Sequence, residues 1–185
     1  MKTKLLALIV IIALCGLAVI YDTWHRTELA PVTKEANVFG RVPDFTFTAE
    51  NKKTYDFNIN RMPENGIILH FWASWCAPCQ EEFPALLKQI QKAHGKLALI
   101  AVSIDDNHEA MQKFIRRLQP MNNPHVYWVW DHNKDISLKT FNTADVPESI
   151  LIDQQRRMIR KISGDPGWNN PNMTKQLTEL SAGNN

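Results

Sequence analysis

Cysteine is scarce in this chain, with three in 185 residues. That excludes a disulfide scaffold, in which many cysteines staple distant loops of a small secreted domain. It leaves one local pair, Cys76 and Cys79, and one bystander, Cys15. Charge of one sign is missing too: 21 Lys and Arg stand against 19 Asp and Glu, for a formal net charge of +2. Such a balance gives no electrostatic footprint for nucleic acid. There is no internal repeat and no low-complexity tract, so solenoid arrays and linker-like chains are excluded. What is present is a globular composition, 44% hydrophobic and 22% charged, enough for one domain with a real core.

One long apolar run does occur. Met1-Lys-Thr-Lys4 is a short basic start, and Leu5 to Ile20 then carries no charge. The run is a little short of the roughly 20 residues that span a bilayer. Snorkelling by Lys4 and interfacial placement of Tyr21 and Trp24 make up the difference. Lys2 and Lys4 favour a cytoplasmic N-terminus, so residues 1–21 are expected to anchor a domain on the far side of the membrane. The alternative is a cleaved secretory signal, for which Gly16-Leu-Ala18 offers small residues at the right offsets. Val19, Ile20 and Tyr21 continue the apolar run past that point and favour a retained anchor. Leu14 is too bulky to precede a lipidated cysteine, so Cys15 reads as an ordinary apolar helix residue. In both cases the folded part is exported to a compartment where dithiols and disulfides are both chemically live.

Residues 22–41 are polar and without clear period, and read as a tether; residues 42–183 form the domain. Phe45 and Phe47, then Tyr55, Phe57 and Ile59, alternate with polar residues around a turn at Glu50-Asn-Lys52, as in a hairpin. The runs Gly66–Trp72 and Leu97–Ile104 are nearly continuous in apolar residues, as in strands buried on both faces. Between them Phe83, Leu86, Leu87 and Ile90 fall at helical spacing, with Gly95 as the stop. Met111, Phe114, Ile115 and Leu118 repeat that spacing, with Asp106 and Glu109 as an N-terminal capping box and Pro120 as the stop. A short strand is expected over Val126–Trp130, a short helix over Lys134–Phe141, and a strand pair over Ser149–Asp153 and Met158–Ser163. Gly164-Asp-Pro-Gly-Trp168 reads as a turn that exposes Trp168, and Pro171 opens a last helix with Met173, Leu177 and Leu180 on one face. Strands alternating with helices point to an α/β domain with a mixed central sheet.

Cys76 follows a buried strand directly, at the start of a helix. Unpaired N–H groups and the positive dipole end there favour a thiolate, which makes Cys76 the attacking sulfur. Cys79, one turn further in and better buried, suits the resolving role. Pro78 fits an early helix position because it has no N–H to leave unpaired. A lone C-x-x-C has other readings. Half a zinc site looks the same, but two more ligands are needed and the histidines are scattered. Two inert core cysteines are another reading, and a copper-delivery module with soft thiolate ligands a third.

The stretch Phe71-Trp-Ala-Ser-Trp-Cys-Ala-Pro-Cys79 closely resembles the active-site segment of thioredoxin-fold oxidoreductases. Pro84 falls where that family has a proline inside the helix, and Val146-Pro147 where it has a cis-proline loop. Within the superfamily the chain is most similar to the TlpA/ResA/CcmG (DsbE) group of anchored proteins. The N-terminal run, Val42-Pro-Asp-Phe45, Cys79-Gln-Glu-Glu82-Phe-Pro84 and Val146-Pro-Glu-Ser-Ile-Leu-Ile-Asp153 carry that likeness, which spans about residues 42–182. The resemblance implies a thioredoxin fold with an N-terminal β-hairpin extension and one inserted helix–strand element. It implies a redox-active Cys76–Cys79 disulfide, a catalytic Pro147 beside it, and substrate contacts by Trp75 and Val146. It also places acidic residues, Glu82 and Glu148, near the dithiol, where a carboxylate opposes a second negative charge; a solvated residue is the alternative for each. His70 departs from the group, which often has asparagine there and thioredoxins a buried aspartate. It is either a satisfied core histidine or a proton relay for Cys79. Disulfide exchange needs no cofactor. The expected partners are thiols or disulfides of exported proteins as substrates and a membrane redox protein as electron donor, with the chain a monomer at the bacterial inner membrane, facing the periplasm. A reductase of a restricted set of partners, such as apocytochrome c or metal-site assembly factors, is implied. A general oxidase or isomerase is the rival, since direction depends on reduction potential.

Overall fold

The computed structural model describes residues 40–57, 64–118 and 123–183. The expected anchor, nearly all of the expected tether, Cys15, Ile59 and Pro120 lie outside those residues. No helix among the described residues is long and apolar enough to cross a membrane.

The hairpin forms as the alternation predicts. Strands β1 (Thr46–Thr48) and β2 (Thr54–Asp56) pair antiparallel with Phe47 opposite Tyr55. The central sheet holds β3 (Gly66–Trp72), β4 (Leu97–Ser103), β5 (Val126–Trp130), β6 (Glu148–Asp153) and β7 (Met158–Ser163) in the order β5-β4-β3-β6-β7. β3, β4 and β5 run parallel, while β6 and β7 are antiparallel additions. Every residue of β3 and β4 is buried, because these central strands are covered on both faces.

Strand alternation divides the core in two. Ile68, Trp72, Leu99 and Leu151 face one layer, packed by helices α1 (Ala77–Lys92), α2 (His108–Leu118) and α3 (Pro171–Ala182). Ile67, Leu69, Phe71 and Ile150 face the other layer, filled by Phe45, Phe47 and Phe57 together with Ile136 and Phe141. Gly66 is required at the start of β3: a Cβ there would sit 2.4 Å from Leu180 Cγ of α3. Isolated bridges meet the sheet at both ends, Ala49–Val129 on β5 and Arg41–Arg157 just before β7. The arrangement is the expected thioredoxin fold, a mixed sheet flanked by helices with a hairpin in front and the α2–β5 unit inserted.

Three local expectations are corrected. The cap of α2 is Asn107, whose Oδ1 accepts from Ala110 N at 3.1 Å; the carboxylate of Asp106 instead meets Lys134 Nζ at 3.1 Å. The short helix near Lys134 is a π-helical turn, Asp135–Thr140, held by Asp131, which accepts from the backbone of Ile136 and Ser137. Trp168 is buried, at 1% exposure, because its indole is drawn inward by a carboxylate of α1.

Candidate active site

β3 ends at Trp72, and a turn with Cys76 N donating to Ala73 O at 3.2 Å leads into α1. Cys76 has extended backbone (φ −82°, ψ 105°) and is the N-cap of α1. Its Sγ accepts from Cys79 N at 3.2 Å, in the position where a serine or aspartate oxygen usually caps a helix. Pro78 lies in the first turn, where no N–H is needed, and no acidic residue is there to oppose a negative sulfur. Cys76 and Cys79 are joined by a disulfide. Cys79 is fully buried, Cys76 is 5% exposed, and the neighbouring Trp75 is 64% exposed. Of the two cysteines, only Cys76 has any exposure. The Val146–Pro147 bond is cis, and Val146 O lies 3.7 Å from Cys76 Sγ.

The loop before Cys76 is held by a residue that gave no signal strong enough to be selected from sequence. Asp105, fully buried, accepts from Ser74 N at 2.9 Å, Ser74 Oγ at 2.7 Å and Ser103 Oγ at 2.7 Å. Its own carbonyl accepts from Trp130 Nε1 at 2.7 Å. Its position two residues past a buried strand, beside Ser103, was the available clue. Asp105→Ala strands the Ser74 and Ser103 donors, so a loss of about 2–3 kcal/mol in unfolding free energy is expected in denaturant titrations. A loss below about 0.5 kcal/mol would show that the clamp is dispensable.

His70 and Glu82 meet behind the dithiol layer. Glu82 projects from α1 one turn after Cys79, on the same helix face. Its Oε2 accepts from Trp168 Nε1 at 2.7 Å, and its Oε1 lies 3.5 Å from His70 Nε2. His70 Nδ1 is 2.8 Å from Ser149 Oγ. Burial pushes the Glu82 carboxyl up to about 7; the like charge of Asp165 adds to this and the Trp168 N–H opposes it. Burial lowers His70 to about 3, and a neutral Glu82 offers no charge to hold it up.

These opposed shifts set a stability profile. Glu82 is raised above its ordinary value of 4.5, so its contribution is complete below that value and is lost as pH rises through about 7. His70 is depressed below 6.5, so its contribution is complete above that value and is lost as pH falls towards about 3. Stability from this pair is therefore expected to be greatest between 4.5 and 6.5. Urea midpoints measured across pH should fall on both sides of that window, and Glu82→Gln should flatten only the alkaline side. An unchanged alkaline slope in that variant would refute the assignment.

Of the residues singled out from sequence, Cys76, Cys79, Trp75, Val146, Pro147, Glu82 and His70 converge on one end of α1 or the layer beneath it. Glu148 does not. In β6 it pairs with Phe71 and points to the hairpin side of the sheet, opposite to Ser149. Its carboxylate accepts from Thr143 Oγ1 and from Ser163 Oγ at 3.4 Å, and lies 2.9 Å from Lys161 Nζ. Among the described residues no group of three His, Cys, Asp or Glu side chains is placed to hold a metal ion.

A thioredoxin-like family model matches residues 65–158, half of the chain. The thiol-disulfide oxidoreductase ResA of Bacillus thuringiensis is 28% identical over 170 residues, covering 89% of this chain and 90% of that protein. Among solved structures, the thioredoxin domain of a thiol-disulfide oxidoreductase from Bacteroides vulgatus aligns with a TM-score of 0.63 at 18% identity, covering 78% of this chain and 97% of that one. StoA from Bacillus subtilis aligns with a TM-score of 0.58 at 20% identity, covering 76% and 97%. A disulfide-bonded pair with one sulfur at a helix N-cap, the other buried and a backbone carbonyl beside them is an arrangement suited to disulfide exchange, and with these matches the chain belongs to the thioredoxin-like family and is a thiol–disulfide oxidoreductase.

Proposed function

We propose that the chain is a partner-selective reductase of exported proteins, anchored in the inner membrane by residues 1–21 and facing the periplasm. The observation that supports a selective dithiol is the difference between Cys76, 5% exposed, and its neighbour Trp75, 64% exposed, which offers a partner an apolar surface beside a nearly buried sulfur. Val146 presents its backbone beside that sulfur, where an extended substrate segment can pair with it, and Pro147 fixes the loop.

In the reducing direction the Cys76 thiolate attacks one sulfur of the substrate disulfide, and the other substrate sulfur leaves as a thiolate. Cys79 then loses its proton and attacks Cys76 Sγ of the mixed disulfide. The second substrate sulfur departs, and the Cys76–Cys79 disulfide is closed. The substrate has gained two electrons. His70 and Glu82 are the groups proposed to take the Cys79 proton. Return to the dithiol requires two electrons from a donor, for which a membrane redox protein is the class that fits an anchored domain. Apocytochrome c and metal-site assembly factors are the substrate classes we favour.

The direction is checked by acid-quenching growing cells and alkylating free thiols. A reductase is held mainly as the dithiol at steady state. A Cys76–Cys79 pair found mainly oxidised would instead make the protein an oxidase of exported thiols.

A further inference from the structure

Four buried side chains from four elements form one chain of contacts: Ser149 of β6, His70 of β3, Glu82 of α1 and Trp168 of the loop before α3. The two outer contacts are fixed hydrogen bonds, Ser149 Oγ to His70 Nδ1 at 2.8 Å and Trp168 Nε1 to Glu82 Oε2 at 2.7 Å. The central contact differs. His70 Nε2 and Glu82 Oε1 stand 3.5 Å apart with both side chains fully buried, and neither atom has a well-formed hydrogen bond among the described residues.

What satisfies that contact is a single proton. With none, two lone pairs face each other away from water and both buried atoms stay unpaired. With one on each atom, two hydrogens collide and neither atom has an acceptor. One proton between them pairs both atoms. It can belong to the acid or to the ring, and the ring has a second nitrogen whose partner is a hydroxyl. A serine hydroxyl donates or accepts by rotation, so either ring tautomer can be satisfied at Ser149.

We propose that His70 and Glu82 bind protons as one unit, in which loss of the Glu82 proton is answered by a tautomer change at His70 and no imidazolium forms. In the protonated state Glu82 Oε1–H donates to His70 Nε2, and His70 Nδ1–H donates to Ser149 Oγ. In the deprotonated state His70 Nε2–H donates to the Glu82 carboxylate, and the Ser149 hydroxyl turns to donate to Nδ1. The unit passes from neutral to one negative charge by losing one proton. Trp168 is its positioning residue, since its N–H stays on Oε2 in both states and keeps Oε1 aimed at the ring. The other charged group acting on Glu82 is Asp165, whose like charge and side-chain hydrogen bond to Glu82 both favour the protonated state, and the only ion-pair partner of His70 among the described residues is Glu82. Burial acts in the same sense on both members, since it disfavours charge on each.

The inference deepens the proposed role of this pair as proton partner of Cys79. The Cys79 proton enters the negatively charged unit and leaves it neutral, and the sulfur attacks as a thiolate.

The test is a pH titration of the oxidised full-length chain, in which neither Cys76 nor Cys79 titrates, followed by nitrogen NMR of the His70 ring and carbon NMR of the Glu82 carboxyl. The expected result is one shared midpoint at which the protonated nitrogen changes from Nδ1 to Nε2. Glu82→Gln should hold the ring in one tautomer at every pH. Trp168→Phe should move both midpoints together. An imidazolium signal beside an ionised Glu82 would overturn the proposal. So would a fixed tautomer through the Glu82 transition, a tautomer change that persists in Glu82→Gln, or midpoints that separate in Trp168→Phe. The kinetic role is tested apart, through the pH profile of mixed-disulfide resolution in His70→Asn. A shared transition with an unchanged profile keeps the unit and removes its role at Cys79. An altered profile without the tautomer change keeps the role and removes the unit.

Discussion

In a Cys79→Ser variant, turnover is expected to fall on the order of 10³-fold or more while covalent adducts accumulate on Cys76. The reason lies in the unequal placement of the two sulfurs. Cys76 caps α1 and receives the Cys79 N–H at 3.2 Å, a bond that strengthens when the sulfur is a thiolate. Cys79 is fully buried and lies against Cys76 Sγ, the sulfur it attacks in the mixed disulfide. A serine at position 79 leaves the first attack intact and stops the second, because a neutral hydroxyl does not displace a thiolate at a disulfide. The trapped species is seen by non-reducing electrophoresis and named by mass spectrometry of the excised band. Cys76→Ser, by contrast, should trap nothing, since the remaining thiol is out of reach. Equal trapping by both variants would invert or abolish the assignment of attack and resolution. The identity of the partner tests the proposed substrate class at the same time.

Phe83→Ala is expected to cost about 3–5 kcal/mol of unfolding free energy, a large part of the roughly 5–15 kcal/mol that holds a domain of this kind folded. Phe83 is fully buried, and its ring lies 4.9 Å from that of Trp72, 5.6 Å from Phe114, 5.4 Å from Trp128 and 5.2 Å from His70. It thus joins α1 to β3, α2 and β5 at one point. Removing the ring leaves a cavity that rigid aromatic neighbours cannot close. The site should feel the loss as well, because Phe83 adjoins Glu82 and stands edge-on to His70. Urea unfolding of the oxidised protein measures the cost. A change under about 1.5 kcal/mol would show that the layer repacks and that this ring is not its centre.

The sequence alone determined the elements that depend on short-range pattern. The nearly continuous apolar runs Gly66–Trp72 and Leu97–Ile104 read as strands covered on both faces, and they form β3 and β4. A dithiol directly after such a strand had to start a helix, and Cys76 is its cap. The hairpin and the last helix were legible from periods of two and of 3.6. Even locally, closely similar signals compete: Asp106 and Asn107 are both good caps, and the backbone of α2 chose the second.

Tertiary structure decided which side chains meet. His70 and Ser149 are 79 residues apart, and Glu82 and Trp168 are 86 apart. Their contacts depend on the register of β3 against β6 and on where the loop before α3 returns. A shift of one residue in a strand turns each side chain to the opposite face. That same alternation carried Glu148, one residue from Ser149, away from the dithiol to Thr143 and Lys161. It also turned an acid and a histidine, each singled out from sequence but not as a pair, into two buried groups facing one another across 3.5 Å. Period and spacing specify what each segment is; only the packing of distant segments specifies what a buried ionisable group has for a neighbour, and that neighbour sets its chemistry.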